Sequence, residues 1–382
     1  MRNNRLINYK NMKRDAWVEI NLDSIEHNVL EIKKILPAKT KLLSVIKADA
    51  YGCGSIEIAP TLLASGVDIF GVASIDEGMQ LRQAKFDTPI LILGAAPIWS
   101  FDYAALHDIM LSIFSDQHIQ ACKIAFEKTG IKPKVHIKID TGMNRIGVNY
   151  LNAVDFIKKV QSCDFIDLKG IFSHLAISEN EYETLKQLNK WNNVINSINS
   201  DNLSLHILNT AGILSFQQDV QKYNMVRLGI ETYGFLPDLP LNRQVDIDIK
   251  NVISLKARIV NIHNVHKGEG ISYSHTYIEK KDNSLIATIP IGYADGVSRG
   301  LSNKISGLLN GKIVKQVGNI TMDQMMFDIS NVADAKEGDI ITLLGDDGNH
   351  KIYIDSWAKI LNTIHYELIC RLKVRLSRVY TR

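Results

Sequence analysis

The first group in this sequence with chemistry to offer is Lys47, which directly follows the apolar run Leu42–Ile46 and precedes Ala48-Asp49-Ala50-Tyr51-Gly52-Cys53-Gly54. An amine emerging from a dry strand end loses solvation, which lowers its pKa, and an unprotonated lysine can form a Schiff base. A lysine that merely snorkels from a strand end has the same spacing. Other capable side chains recur just past apolar runs: Lys138 with Asp140 and Arg145, then His174, then Asn209-Thr210, with Arg227 inside the last such run. Thr210-Ala211-Gly212 and Gly229-Ile230 offer a hydroxyl and backbone N–H groups to a phosphate, although plain turn chemistry needs the same glycines. A satisfied core histidine at His174 and a solvated charge cluster at Lys138 and Arg145 are the alternatives open at those positions.

The elements that must position these groups alternate between short Val/Ile/Leu-rich runs and longer segments with apolar residues at helical spacing. The runs predict strands at 42–46, 68–72, 90–93, 110–114, 135–139, 170–173, 205–208 and 225–228, the number that closes a parallel barrel. Helices are expected at 25–36, 55–64, 77–84, 118–128, 153–161 and 182–198. An open doubly wound sheet has the same rhythm, but this many units in about 200 residues favours the barrel, whose strand ends are where active sites sit. Past Pro240 the texture turns to alternating and β-branched runs at 252–262, 284–289, 312–316, 325–329 and 340–344, separated by turns such as Asn310-Gly311, with a single amphipathic helix at 355–369. The fold class expected is therefore α/β: a (β/α)8 TIM-type barrel over 15–245, a mainly-β C-terminal domain over 246–382, and an N-terminal extension, 1–14, expected to be disordered.

Composition narrows the function. The 382 residues are 46% hydrophobic and 22% charged, with a formal net charge of +3 and no long basic run, which speaks against a nucleic-acid partner. Cys53, Cys122, Cys163 and Cys370 are far apart, without C-x-x-C or histidine at metal-ligand spacing, so neither a disulfide framework nor a metal site is expected. No apolar stretch approaches the roughly 20 residues of a membrane span, and Ala16-Trp17-Val18-Glu19-Ile20 is no signal-peptide core. A cytoplasmic enzyme is the expectation.

Longer motifs add a resemblance. Val45-Ile46-Lys47-Ala48-Asp49-Ala50-Tyr51-Gly52-x-Gly54 resembles the cofactor-lysine signature of the alanine racemases. In order there follow Lys138-Ile-Asp-Thr-Gly-Met-Asn-Arg145-Ile-Gly147, Ser173-His174, Asn209-Thr210, Arg227-Leu-Gly-Ile, Ser272-Tyr273, Ile291-Gly-Tyr-Ala-Asp-Gly296 and Met322-Asp323-Gln324. The resemblance spans Ala16 to Tyr380 and implies a pyridoxal 5'-phosphate enzyme, a barrel plus β domain assembled as a head-to-tail homodimer with shared active sites. It implies Lys47 as cofactor anchor and base, and Tyr273 of the partner chain as second base. It implies phosphate contacts at Tyr51, Thr210, Gly229, Ile230 and Tyr366, and Arg227 facing the pyridine nitrogen with His206 in support. Arg145 is implied at the cofactor phenolate, braced by a Lys138 that many members carry carbamylated. Arg299 and His174 are implied to position the tyrosine, Met322 to contact the substrate carboxylate, and Tyr293, Met322 and Tyr366 to line the entrance and pocket, with Arg145 also on the substrate and Asp323 supporting. Cys53, Ser274 and Thr321 depart from the family's usual His, Gly and Cys.

Inverting an amino acid at Cα requires taking a proton from one face and returning one to the other, so two bases on opposite faces suit the task. Lys and Tyr both have ordinary pKa values near about 10 and need burial or cationic neighbours to act at neutral pH. A guanidinium, ordinarily above about 12, keeps its proton and leaves the ring a weaker electron sink. The resemblance implies L- to D-alanine interconversion that supplies peptidoglycan. The rivals are a racemase of serine or of a larger or basic amino acid, a pyridoxal-phosphate decarboxylase of basic amino acids, and a cofactor-carrying barrel without robust catalysis.

Overall fold

The computed structural model describes residues 14–240, 246–372 and 375–382. Apart from Arg14, the extension expected over 1–14 lies outside the described residues, as does the stretch 241–245 beside the expected domain boundary. By contacts the chain forms two compact units, one built from 25–50 and 54–250, the other from the residues up to 24, 51–53 and 251 onwards.

Strand β1 (Ala16–Asn21) is followed along the chain by β2 (Lys41–Val45), β3 (Ile69–Val72), β4 (Ile90–Ile92), β5 (Ile109–Ile113), β6 (Lys134–Asp140), β7 (Asp167–Phe172), β8 (Ser204–His206) and β9 (Met225–Leu228). β2 to β9 pair in parallel in the order β9-β2-β3-β4-β5-β6-β7-β8. At the seam the Arg227 N–H donates to the Leu208 carbonyl at 3.1 Å. This is the expected barrel. Strands β3, β4 and β5 are buried along their whole length, which is why they read as continuous apolar runs instead of alternating ones. The helices Ser55–Ala64 and Ala153–Gln161 lie where helical spacing puts them, and Ser74, Ser115 and Asn180 cap others by accepting from Glu77, His118 and Glu183 N–H. Short helices at Phe101–Leu106, Thr210–Ser215 and Gln217–Val220 were not expected.

In the second unit the strands are β10 (Ile253–Arg258), β11 (Asn261–Val265), β12 (Ser284–Ile289), β13 (Ser306–Leu309), β14 (Lys312–Val317), β15 (Met325–Asp328), β16 (Ile340–Asp347) and β17 (Ser377–Thr381). They form one sheet in the order β11-β12-β15-β14-β13-β16-β10-β1-β17. Residues 16–21, placed with the barrel in the sequence reading, thus pair here, antiparallel to β10 and parallel to β17. Asn310 and Gly311, both at positive φ, close the two-residue hairpin between β13 and β14.

Two expectations need correction. The run 252–262 is two strands, because β10 pairs with β16 and β1 whereas β11 pairs with β12. The single helix expected over 355–369 is two, Ile354–Leu361 and His365–Arg371, because Asn362 turns left-handed at φ 50 and caps the first. Among the described residues no helix is long and apolar enough to cross a membrane.

Candidate active site

Lys47 sits half-buried immediately beyond β2, at the head of an unusual turn. Ala48, Asp49, Ala50 and Tyr51 all have φ of 53–54°, a left-handed turn without glycine. Such residues cost about 1–2 kcal/mol each, so the surroundings must impose the conformation. Within the barrel unit they do. The Glu77 carboxylate accepts from Ala48 and Ala73 N–H at 2.7 Å, Asp49 accepts from Ser55 N–H at 2.8 Å, and the Tyr233 hydroxyl holds the Val45 carbonyl at 2.8 Å. The strained turn fixes where the lysine leaves the strand.

Arg227 on β9 organises the barrel interior. Its Nη1 donates to His206 Nδ1 at 2.9 Å, and its Nη2 donates to His174 Nδ1 at 3.0 Å and to the Ser173 and Ile207 carbonyls at 2.8 and 2.9 Å. A guanidinium has no acceptor, so both histidines accept through Nδ1 and carry their proton on Nε2. His206 Nε2 therefore donates to His136 Nδ1, 2.9 Å away, which places the proton of His136 on its Nε2 as well. Burial first, and then the Arg227 charge, hold all three imidazoles neutral, His136 at about 3. Burial also pulls Arg227 itself down to about 9, lower than a free guanidinium but still cationic at neutral pH. Replacing Arg227 with alanine leaves two histidine nitrogens and several carbonyls without their donor. We expect a loss of about 3 kcal/mol or more in urea unfolding, and a loss under about 1 kcal/mol would mean that the histidines re-pair.

Lys138 on β6 is almost fully buried, with Nζ 4.9 Å from the centre of the Phe172 ring. Burial, reinforced by the Arg227 and Arg145 charges, drives its pKa far down. Arg145 lies exposed on the loop after β6, close enough to act on both Lys138 and His174, and Lys47 acts on His174 as well. That loop returns tightly to its strand: at Gly147, φ +127, a Cβ would stand 2.7 Å from the Asp140 nitrogen.

At the far ends of β8 and β9 a set of donors converges. The Thr210 hydroxyl donates to the Glu231 carboxyl, as does the Gly229 N–H at 2.9–3.0 Å, with the N–H groups of Glu231 and Thr232 also contributing. This cup holds the Glu231 carboxyl, and the chemistry of its donors fits a phosphate group.

In the second unit Tyr273 lies in the turn Tyr273–His275 between the two-residue strands Gly270–Ile271 and Tyr277–Ile278, 72% exposed on its own chain. Ser272, Ser274 and His275 in this turn all have positive φ, a conformation that costs serine and histidine more than it costs glycine. Asn319 steadies the turn, donating to the Tyr273 carbonyl at 2.7 Å and accepting from the Ser272 hydroxyl at 2.7 Å. Tyr293 and Met322 are also exposed, brought together by Gly292, where a Cβ would stand 2.3 Å from the Thr321 carbonyl oxygen. Asp323 pairs with Arg375 at 2.6 Å, and Arg299 is exposed. The Tyr51 and Tyr366 rings approach to 6.4 Å, and the Cys53 side chain is fully buried, its carbonyl held by the Tyr380 hydroxyl at 2.9 Å.

Barrel residues expected in the site are thus gathered around Arg227 and at the ends of β2, β6, β7, β8 and β9. The sequence reading missed Glu231, Glu77, His136 and Phe172, whose ring stacks on His206 with centroids 4.9 Å apart. It also missed Gln187, which clamps Thr141 and the His174 carbonyl. None belongs to a motif quoted above, though the apolar context of Glu231 in Gly-Ile-Glu-Thr-Tyr is a signal.

The comparisons agree on one family. The model for the alanine racemase N-terminal domain matches residues 20–237, and that for the C-terminal domain matches 252–380. An alanine racemase of Nostoc sp. is 40% identical over 372 residues, covering 95% of this chain and 95% of its own. The solved alanine racemase of Clostridium difficile superposes with a TM-score of 0.90 at 36% identity, over 97% of this chain and 96% of its own. The alanine racemase of Bartonella henselae, solved with covalently bound pyridoxal phosphate, gives 0.84 at 28% identity over 96% and 99%. With both domain models matched in order and relatives alike over nearly their whole length, the chain belongs to the alanine racemase family.

Proposed function

We propose that this isomerase interconverts L-alanine and D-alanine with pyridoxal 5'-phosphate, using Lys47 on one face of the substrate and Tyr273 of a second copy on the other. The observation that carries this reading is Arg227, a cation locked between His206 and His174 inside the barrel, with Lys47 acting on the same His174. When bound, the cofactor supplies an electron sink that acidifies the Cα–H of an attached amino acid. Lys47 anchors the cofactor and exchanges the Cα proton from its side. Arg227 would stand at the ring nitrogen and, as a guanidinium that keeps its proton, would leave that nitrogen unprotonated and the sink a weaker one. A basic amino-acid decarboxylase would place a carboxylate at that position.

Thr210, Gly229 and Ile230 would serve as phosphate contacts. Arg145 would meet the cofactor phenolate, braced by Lys138, whose neutral amine is the form that takes up carbon dioxide, and Met322 would meet the substrate carboxylate. Tyr273, exposed on its own chain, becomes enclosed in a homodimer, where His174 and Arg299 position it. Tyr293 and Met322, with Asp323 in support, narrow the pocket to a methyl side chain, within the roughly 1–3 kcal/mol that an apolar pocket can discriminate. The setting proposed is the cytoplasm, with D-alanine going to peptidoglycan.

The test is incubation of cofactor-loaded protein with each enantiomer of alanine, serine and lysine in deuterated water, following chirality and label together. Interconversion of alanine with deuterium entering at Cα is expected, and lysine is expected to stay intact. Unchanged alanine sinks the assignment, and carbon dioxide released from lysine moves it to the decarboxylases.

A further inference from the structure

The anion cup at the ends of β8 and β9 already holds a carboxyl of the protein's own. Glu231 is fully buried, and its two oxygens take the Thr210 hydroxyl and the Gly229 N–H, two of the groups that the reading above gives to the cofactor phosphate. A carboxylate and a phosphate dianion cannot share these donors in a dry pocket, because the donors are too few for both charges and the repulsion is unscreened. A carboxylic acid can share them. Uncharged, it releases the single Thr210 proton to the phosphate and turns its own O–H towards the phosphate as an additional donor.

We propose that Glu231 is a cofactor-phosphate contact that acts as the neutral acid, so that this protein takes up a proton at Glu231 when pyridoxal phosphate binds above neutral pH. The inference rests on the pyridoxal-phosphate reading and deepens it. The groups that face the carboxyl are the Thr210 hydroxyl, from the helix after β8, and the N–H groups of its own turn. On β9 the nearest cation in sequence, Arg227, is committed to His206, His174 and main-chain carbonyls. Burial outweighs the hydrogen bonds of the cup and raises the Glu231 pKa to about 7, with no neighbouring charge among the causes. Below about 7 the acid is present and the phosphate settles without cost. Above it the fraction of competent protein falls about tenfold per pH unit, and the apparent affinity falls with it.

The experiment is equilibrium binding of pyridoxal phosphate and of pyridoxal, which lacks the phosphate, to the full-length apoprotein across this pH range. Both aldehydes engage Lys47, so the ratio of their dissociation constants isolates the phosphate, whose own second ionisation near about 6 lies below the window. In wild-type protein the preference for the phosphorylated form is expected to shrink about tenfold per unit above pH 7. In Glu231→Gln, which keeps a neutral hydrogen-bonding side chain, the ratio is expected to stay level. A level ratio in the wild type, which needs no variant, overturns the proposal, and so does an unchanged wild-type slope in a folded Glu231→Gln protein. If pyridoxal phosphate fails to bind at any pH, the cofactor reading falls and the proposal goes with it, an outcome distinct from binding without a slope.

Discussion

Changing Lys47 to alanine leaves a folded protein whose racemisation of both alanine enantiomers is lower by at least about 10⁴-fold, the upper range for loss of a single proton-transfer group. The fold tolerates the change because the turn that presents Lys47 is held by other atoms, the Glu77 and Asp49 carboxylates and the Tyr233 hydroxyl. The chemistry does not tolerate it, because one amine both anchors the cofactor and exchanges a proton on its face, and removing it strikes both roles. Arginine is no substitute, since a guanidinium keeps its proton. A small primary amine added to the medium is expected to restore a fraction of the lost exchange, because the cavity left by the side chain can admit it. The measurement is enantiomer interconversion with thermal denaturation in parallel. A folded Lys47→Ala protein that keeps more than about a tenth of the wild-type turnover is incompatible with the role, given the 10²–10⁴ range for such groups.

Much of this site was legible because barrel geometry ties chemistry to strand ends. Strands buried on both faces appear in the sequence as short apolar runs, and Lys47 and His174 follow such runs directly, Thr210 lies two residues past one, and Lys138 sits near the end of another. What escaped notice depends on partners distant in the chain. β1 is a strand of the β sheet because residues 253–257 and 377–381 flank it, and nothing within 16–21 announces them. The break at Asn362 hides inside a convincing helical periodicity, because a single left-handed asparagine scarcely changes the pattern. The left-handed turn after Lys47 has no glycine to mark it, so its strain is visible only in the backbone and in the Glu77 clamp. Glu231 lies outside every motif read from the sequence, and its importance arises from complete burial against Thr210 and Gly229.

Tyr273→Phe is expected to separate proton exchange from inversion. With the phenol gone, one face keeps its base: solvent deuterium still enters the enantiomer whose Cα proton faces Lys47, with retention of configuration, while interconversion falls by about 10²–10⁴-fold. Loss of both processes together would assign Tyr273 to structure instead, and its exposed turn, steadied by Asn319 through the main chain, argues against that. The sharper measurement combines the two variants. If each site takes Lys47 from one chain and Tyr273 from the other, a mixed dimer of Lys47→Ala and Tyr273→Phe chains contains one site with both defects and one with neither. Random re-pairing makes half the dimers mixed, so dissociating and reassembling equal amounts of two nearly inactive proteins should recover about a quarter of wild-type turnover. If both bases come from one chain, every site in every dimer carries a defect, and no activity returns at any mixing ratio.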